Sequence, residues 1–220
     1  MSFSILFKDE LKGFYLSKVM MILWIGLPIL TILLYVFQPD SGMEIPFAVF
    51  TAMVVSSIAG VLASIMLAVG IISEKNQNVY ELFVIRPVKR RDMILAKFLA
   101  VYVCVTIANI LAIAIGLIID YAINGGNSEL LISSIGQSLV MSMSMMAIAS
   151  SAGVLIGVAS PSILAGVVLV IFGSNQISAI STVPIMLNLS DPIPFTLGLS
   201  GILTGILLLI SILVFNRKQF

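Results

Sequence analysis

The sequence predicts an all-α polytopic membrane protein with six transmembrane helices, preceded by an amphipathic interfacial helix. Three observations carry this expectation. The 220 residues are 60% hydrophobic and only 10% charged, with a mean hydropathy of +1.20, whereas about a quarter of the residues of a soluble domain are charged. The apolar residues fall into six runs of roughly span length. The charges are segregated along the chain: six of the eleven Lys and Arg lie in one stretch, 73–97, between hydrophobic blocks. No repeat or low-complexity linker divides residues 1–220, so a single transmembrane domain is expected.

In residues 3–15, Phe3, Phe7, Leu11 and Phe14 form one stripe of a helix, with Lys8, Asp9 and Lys12 mostly away from it. Such a helix lies in the membrane interface. Residues 19–37 are uncharged and form the first span, with Pro28 near its middle removing a backbone hydrogen bond. No small-residue cleavage site follows this run, so it is expected to be retained. The second span, 46–73, is longer than a bilayer requires.

The third span, 98–119, is closed by Asp120 and the turn-forming Asn124, Gly125, Gly126 and Asn127. Residues 130–159 form the fourth, where Gly153 and Gly157 point to irregular or closely packed last turns. Ser160, Pro161 and Ser162 make a tight turn into a short fifth span, 163–180. The region 173–194 is broken by Pro184, Pro192 and Pro194, so beyond the fifth span it reads as short re-entrant or interfacial helices. The sixth span, 195–215, stops at Asn216, Arg217 and Lys218.

Six spans put segments 1–18, 73–97, 160–162 and 216–220 on one side, and these hold every Lys and Arg. The opposite loops hold Asp40, Glu44, Asp120, Glu129 and Asp191 and no basic residue. Positive residues of short loops are retained in the cytoplasm, so both termini and the 73–97 stretch are expected there.

Several chemistries are excluded. The chain has no histidine, hence no HExxH site and no Ser/His pair, and it has no GxxxxGK[ST] loop. The expected spans carry no ionisable group of the kind a proton-coupled carrier uses. Cys104, the single cysteine, sits in an apolar run and reads as a small packing residue. Met141 and Met145 share a helix face but Met143 lies opposite, so the Met-rich run 141–146 forms no metal cluster. The fourth span is the most polar, with Ser133, Ser134, Gln137, Ser138, Ser142, Ser144, Ser150 and Ser151. These fit helix contacts or, alternatively, a polar path. The sequon at Asn188 is too short a pattern to carry weight. Neither a catalytic residue, a metal, a cofactor nor a nucleic-acid partner is expected.

Within 73–97, Val79, Leu82 and Phe83 follow helical spacing beside Tyr80 and Val84, while Glu74, Lys75 and Glu81 are polar. Pro87 then breaks the helix and disfavours it at Arg86. Two readings are open on these residues: a basic loop bound to anionic membrane lipids, or a helix that docks a protein.

The order Glu74, Lys75, Val79 to Glu81, Leu82, Phe83, Arg86, Pro87, Val88 and Met93 to Lys97 resembles the cytoplasmic loop of ABC-2 type transporter permeases. That loop follows a pattern E-[KR]-x-x-G-T-x-E-x-L-x-x-x-P-[VI]-x-x-x-x-[IL]-x-x-[GA]-K. Asn78 and Val79 stand where Gly and Thr are usual, and Phe83 and Met93 where aliphatic residues are. The resemblance implies a coupling helix, with Glu74, Val79, Tyr80, Glu81, Leu82, Phe83, Arg86 and Pro87 docking a separate ATP-hydrolysing subunit. It also implies two ATPase copies, a second permease copy as homodimer or heterodimer, and a cell-membrane location. The first, second and fifth spans would border the translocation path, near Pro28, Ser162 and Asn175. The expected function is therefore the permease subunit of an ATP-driven exporter, not itself an enzyme. A non-transporting scaffold is the alternative, and a channel or secondary carrier a weaker one.

Overall fold

A computed structural model describes residues 3–37, 47–77, 90–124, 128–186 and 192–217, and among these every regular element is helical. Helix α1 spans Phe3–Tyr15, α2 Lys18–Val36, α3 Phe47–Asn76, α4 Arg90–Asn124, α5 Ser128–Ala159 and α6 Ile163–Ser178. A 3-10 turn, Ala179–Thr182, leads into the short α7, Val183–Met186, and α8 runs Pro192–Arg217. Six described helices are long and apolar enough to cross a membrane: α2, α3, α4, α5, α6 with its 3-10 extension, and α8.

Local chemistry starts these helices where the chain turns. Ser17 is extended (φ −70°, ψ 139°) and its hydroxyl accepts the Met20 N–H at 3.2 Å, which caps α2 and separates it from α1. Ser162 does the same for α6, accepting the Ala165 N–H at 3.3 Å. Helix α2 continues through Pro28. In α8, Pro192 and Pro194 fall in the first turn, where no intrahelical N–H is needed.

The centre of the bundle is the parallel pair α3 and α5. Ser56 meets Met145, with its hydroxyl 3.4 Å from the sulfur. Gly60 faces Ala149, Gly153 faces Ser64, and Gly157 faces Ala68. Each contact is one four-residue step along both helices, so small residues form a ladder along which the backbones approach closely. A Cβ on Gly153 would lie 2.5 Å from the Ser64 backbone, and one on Gly157 would lie 2.9 Å from that of Ala68. Helix α6 also packs on α3, with Gly166 against Ile72. Helix α4 joins α2 to this pair, and Gly116 admits Thr51 of α3 and Thr31 of α2. Helix α8 lies along α5.

The side chains are distributed as lipid surroundings require. Hydroxyl groups point inward: Thr31, Ser56, Ser138, Ser142, Ser150, Ser151, Ser174 and Ser211 are fully buried. Many bond a carbonyl of their own helix, as Ser174 does with Val170 at 2.7 Å and Ser211 with Leu207 at 2.7 Å. Large apolar residues point outward, including Ile22, Ile25 and Val36 on α2, Phe172 on α6, and Ile202, Leu209 and Leu213 on α8. An apolar surface of this extent is abnormal in water and ordinary in a bilayer.

Several sequence expectations shift. The helix of the third span, α4, begins eight residues early, at Arg90, and runs past Asp120 to Asn124. Asp92 in its first turn suits the positive end of the helix dipole, and the apolar residues after Asp120 sustain the helix to the Gly pair. The fifth span stops its α-helix at Ser178 and tightens into the 3-10 turn, and α7 supplies one short helix of the broken region. Residues 187–191, including the Asn188 sequon, lie outside the described residues. The last turns of α5 are closely packed and regular. Cys104 is 1% exposed within the apolar core, as expected. Met141, Met145 and Met146 are buried and Met143 faces outward.

Candidate functional site

The charged stretch emerges from the end of α3 and returns through the start of α4. Of the expected docking residues, Glu74 is described, whereas Val79, Tyr80, Glu81, Leu82, Phe83, Arg86 and Pro87 lie outside the described residues. The two roots of the stretch are therefore where its geometry can be read.

They are joined by an ion pair. The Lys97 ammonium, about two turns into α4, donates to the Glu74 carboxylate in the last turn of α3. The same ammonium lies 3.3 Å from the Glu10 carboxylate of α1 and 5.9 Å from the centre of the Phe14 ring. The Lys97 side chain is only 7% exposed, against 29% for Glu10 and 30% for Glu74. Helix α1 and the consecutive α3 and α4 thus meet at one cation.

The reason lies in the α4 pattern. Ile94, Phe98, Val101, Cys104, Val105, Ala108 and Ala112 form its buried stripe, and Lys97 falls on that stripe. A buried ammonium needs anionic partners, and α1 and α3 each supply one. Leu11 and Phe14 pack against the apolar core beside the cluster, so the second half of the α1 stripe rests on protein. Phe3, at the other end, is exposed and stacked on Phe7 at 6.3 Å.

The cluster borders a cavity of about 590 Å³ lined by Leu6, Phe14 and Met66 together with Glu10, Glu74 and Lys97. Burial raises the Glu10 carboxyl above the ordinary carboxylate range; Lys97 opposes this and Glu74 adds to it. The next residue, Lys75, reaches across to the Ser160 carbonyl at 3.5 Å, tying the end of α3 to the turn between α5 and α6.

The residues expected near a path are not brought together within one chain. Pro28 is half-buried on α2, and among the described residues α2 and α6 do not touch. Ser162 caps α6. Asn175 is exposed on α6, and its side-chain carbonyl accepts the Ser57 hydroxyl of α3 at 2.8 Å. Deeper along the same seam, the Ser64 and Ser174 hydroxyls lie 3.1 Å apart. The serines of the fourth span, α5, mostly serve helix contact: the Ser142 hydroxyl accepts from Asn109 of α4, and Ser138, Ser144, Ser150 and Ser151 are at most 2% exposed.

Sequence reasoning missed Glu10 and Phe14 as partners of the charged stretch and gave Lys97 as a basic flank and the last residue of the loop pattern, with no partner assigned to it. Because α4 starts eight residues before the expected third span, Lys97 lies within the helix and is packed into the bundle. Its position on the apolar stripe was the available signal.

A scan against protein-family models and a search of curated proteins find no match to this chain.

Proposed function

We propose that the chain is the permease subunit of an ABC-2 type exporter, spanning the cell membrane with both termini and the charged stretch in the cytoplasm. It is not itself an enzyme in this reading. A separate ATPase subunit docks on the helix around Val79 to Phe83, and its closure is transmitted to α3 and α4. The observation that carries the reading is the pairing of Glu74 with Lys97. These are the first and last letters of the loop pattern, 23 residues apart, and their ion pair ties the end of α3 to the start of α4.

The Ser57 to Asn175 bond supports a second part of the reading. An exposed amide within an apolar span is unfavourable against lipid. A second permease copy, homologous or identical, covers this face and shares a polar path with it. Every Lys and Arg falls on the side assigned to the cytoplasm, as short-loop retention requires.

Affinity purification from membranes tests the docking. The wild-type chain is expected to bring down an ATPase, and Glu81→Arg or Phe83→Asp to release it while membrane insertion is retained. Persistence of the complex and its ATPase activity after both changes would overturn the reading and leave a scaffold.

A further inference from the structure

We propose that the outer face of α1, carrying Lys8 and Lys12 and continued by Lys18 at the start of α2, binds anionic phospholipid headgroups at the membrane surface. The inference does not depend on the transport reading, because it concerns only how α1 meets the bilayer.

The stripe that reads as lipid-facing in the sequence is turned largely toward protein. Leu11 and Phe14 pack on the apolar core, and Leu6, Glu10 and Phe14 line the cavity beneath the helix. A different set points outward: Ile5, Lys8, Lys12, Tyr15 and Leu16 are all exposed. With roughly 100° between successive residues, these side chains fall within one arc of about 100°, opposite Phe7, Glu10 and Phe14.

The charges of α1 are sorted between the two faces. Both acidic residues, Asp9 and Glu10, border the cavity, whereas the outward arc holds only lysines. Lys8 and Lys12 are one turn apart, a spacing at which like charges repel. No carboxylate among the described residues pairs with Lys8, Lys12 or Lys18. A phosphate lying between Lys8 and Lys12 replaces their repulsion with attraction.

Water alone is a poor partner for this face, because Ile5, Tyr15 and Leu16 share the arc with the lysines. The same surface runs on into Val19, Met21 and Ile22, exposed at the start of a helix long and apolar enough to span. Tyr15 stands edge-on to Trp24 at 5.3 Å, beside that start, where interfacial aromatic residues collect. Apolar side chains that enter the acyl boundary while lysine stems reach the headgroups describe a helix lying on an anionic surface. Each lysine near such a surface adds an attraction that a zwitterionic surface does not supply.

A fluorescent label on Ile5→Cys, in a Cys104→Ala background, reports the lipids around α1 in nanodiscs of mixed phosphatidylcholine and phosphatidylglycerol. Bromine on the acyl chains of one lipid or the other makes that lipid the quencher. The expected result is phosphatidylglycerol enriched about fivefold around the label, the ratio that ~1 kcal/mol gives, and falling at high salt. The triple variant Lys8→Gln, Lys12→Gln, Lys18→Gln is expected to return it to the bulk ratio, and the three corresponding Arg substitutions to keep it. A label on Tyr121→Cys, exposed at the far end of α4, is expected to respond to none of these changes. A bulk ratio in the wild type, or enrichment that persists in the Gln variant, would overturn the proposal. Quenching by neither lipid would also overturn it and assign the face to a protein partner. Loss of enrichment on adding inorganic phosphate, but not chloride of equal ionic strength, would overturn it in favour of a site for free anions.

Discussion

Lys97 shows how one residue can organise a junction that the surrounding sequence leaves open. Its burial on the α4 stripe requires anions, and those anions come from two other helices. The periodicity of α4 made the stripe legible, but nothing in the chain between residues 10 and 97 specifies which carboxylates would meet it. Gly153 was legible in a different way, since a glycine late in an apolar helix signals close approach. Its partner Ser64 was not, because that assignment needs the register of two helices. The consequence at this position is specific. Gly153→Leu must push α5 from α3, where even a Cβ would lie 2.5 Å from the Ser64 backbone, and is expected to destabilise by about 1–3 kcal/mol or more. Gly198→Ala, with no atom within 4 Å of the added Cβ, is expected to leave the unfolding temperature nearly unchanged. Thermal unfolding in detergent compares the two.

The helices themselves were read well where composition alone decides them. Helix α1 was visible in its four-residue apolar stripe, and α2, α3, α5 and α8 in uncharged runs of span length. Boundaries moved where polar residues were compatible with helix, as at Arg90 to Asp92 and at Asp120, because charges just beyond the bilayer do not end a helix. The partners of α6 were not legible. Its polar residues Ser174 and Asn175 lie against Ser64 and Ser57, forming a seam between α3 and α6. If that seam borders a water-accessible path, a cysteine replacing Asn175 in a Cys104→Ala background reacts with a membrane-impermeant maleimide. One replacing Phe172, 73% exposed on the same helix, faces lipid and is expected to react much more slowly. Equal rates at the two positions would argue against a path along the seam.

For the whole molecule, charge segregation and hydrophobic length were sufficient to read a six-span bundle, and the inward hydroxyls and outward apolar residues agree with it. Which helices pair was not readable, since the central α3 and α5 are separated by α4 in the chain and joined through small residues that resemble many others nearby. The central claim, that residues 79–87 dock an ATPase, concerns a surface formed with another protein. A photo-crosslinking amino acid at Leu82, compared with one at the exposed Tyr121 of the opposite end, tests it directly in intact membranes. The account predicts a covalent adduct between Leu82 and a protein bearing a GxxxxGK[ST] nucleotide-binding loop, with no such adduct from Tyr121. Absence of that adduct at Leu82, or its equal formation at Tyr121, would contradict the account.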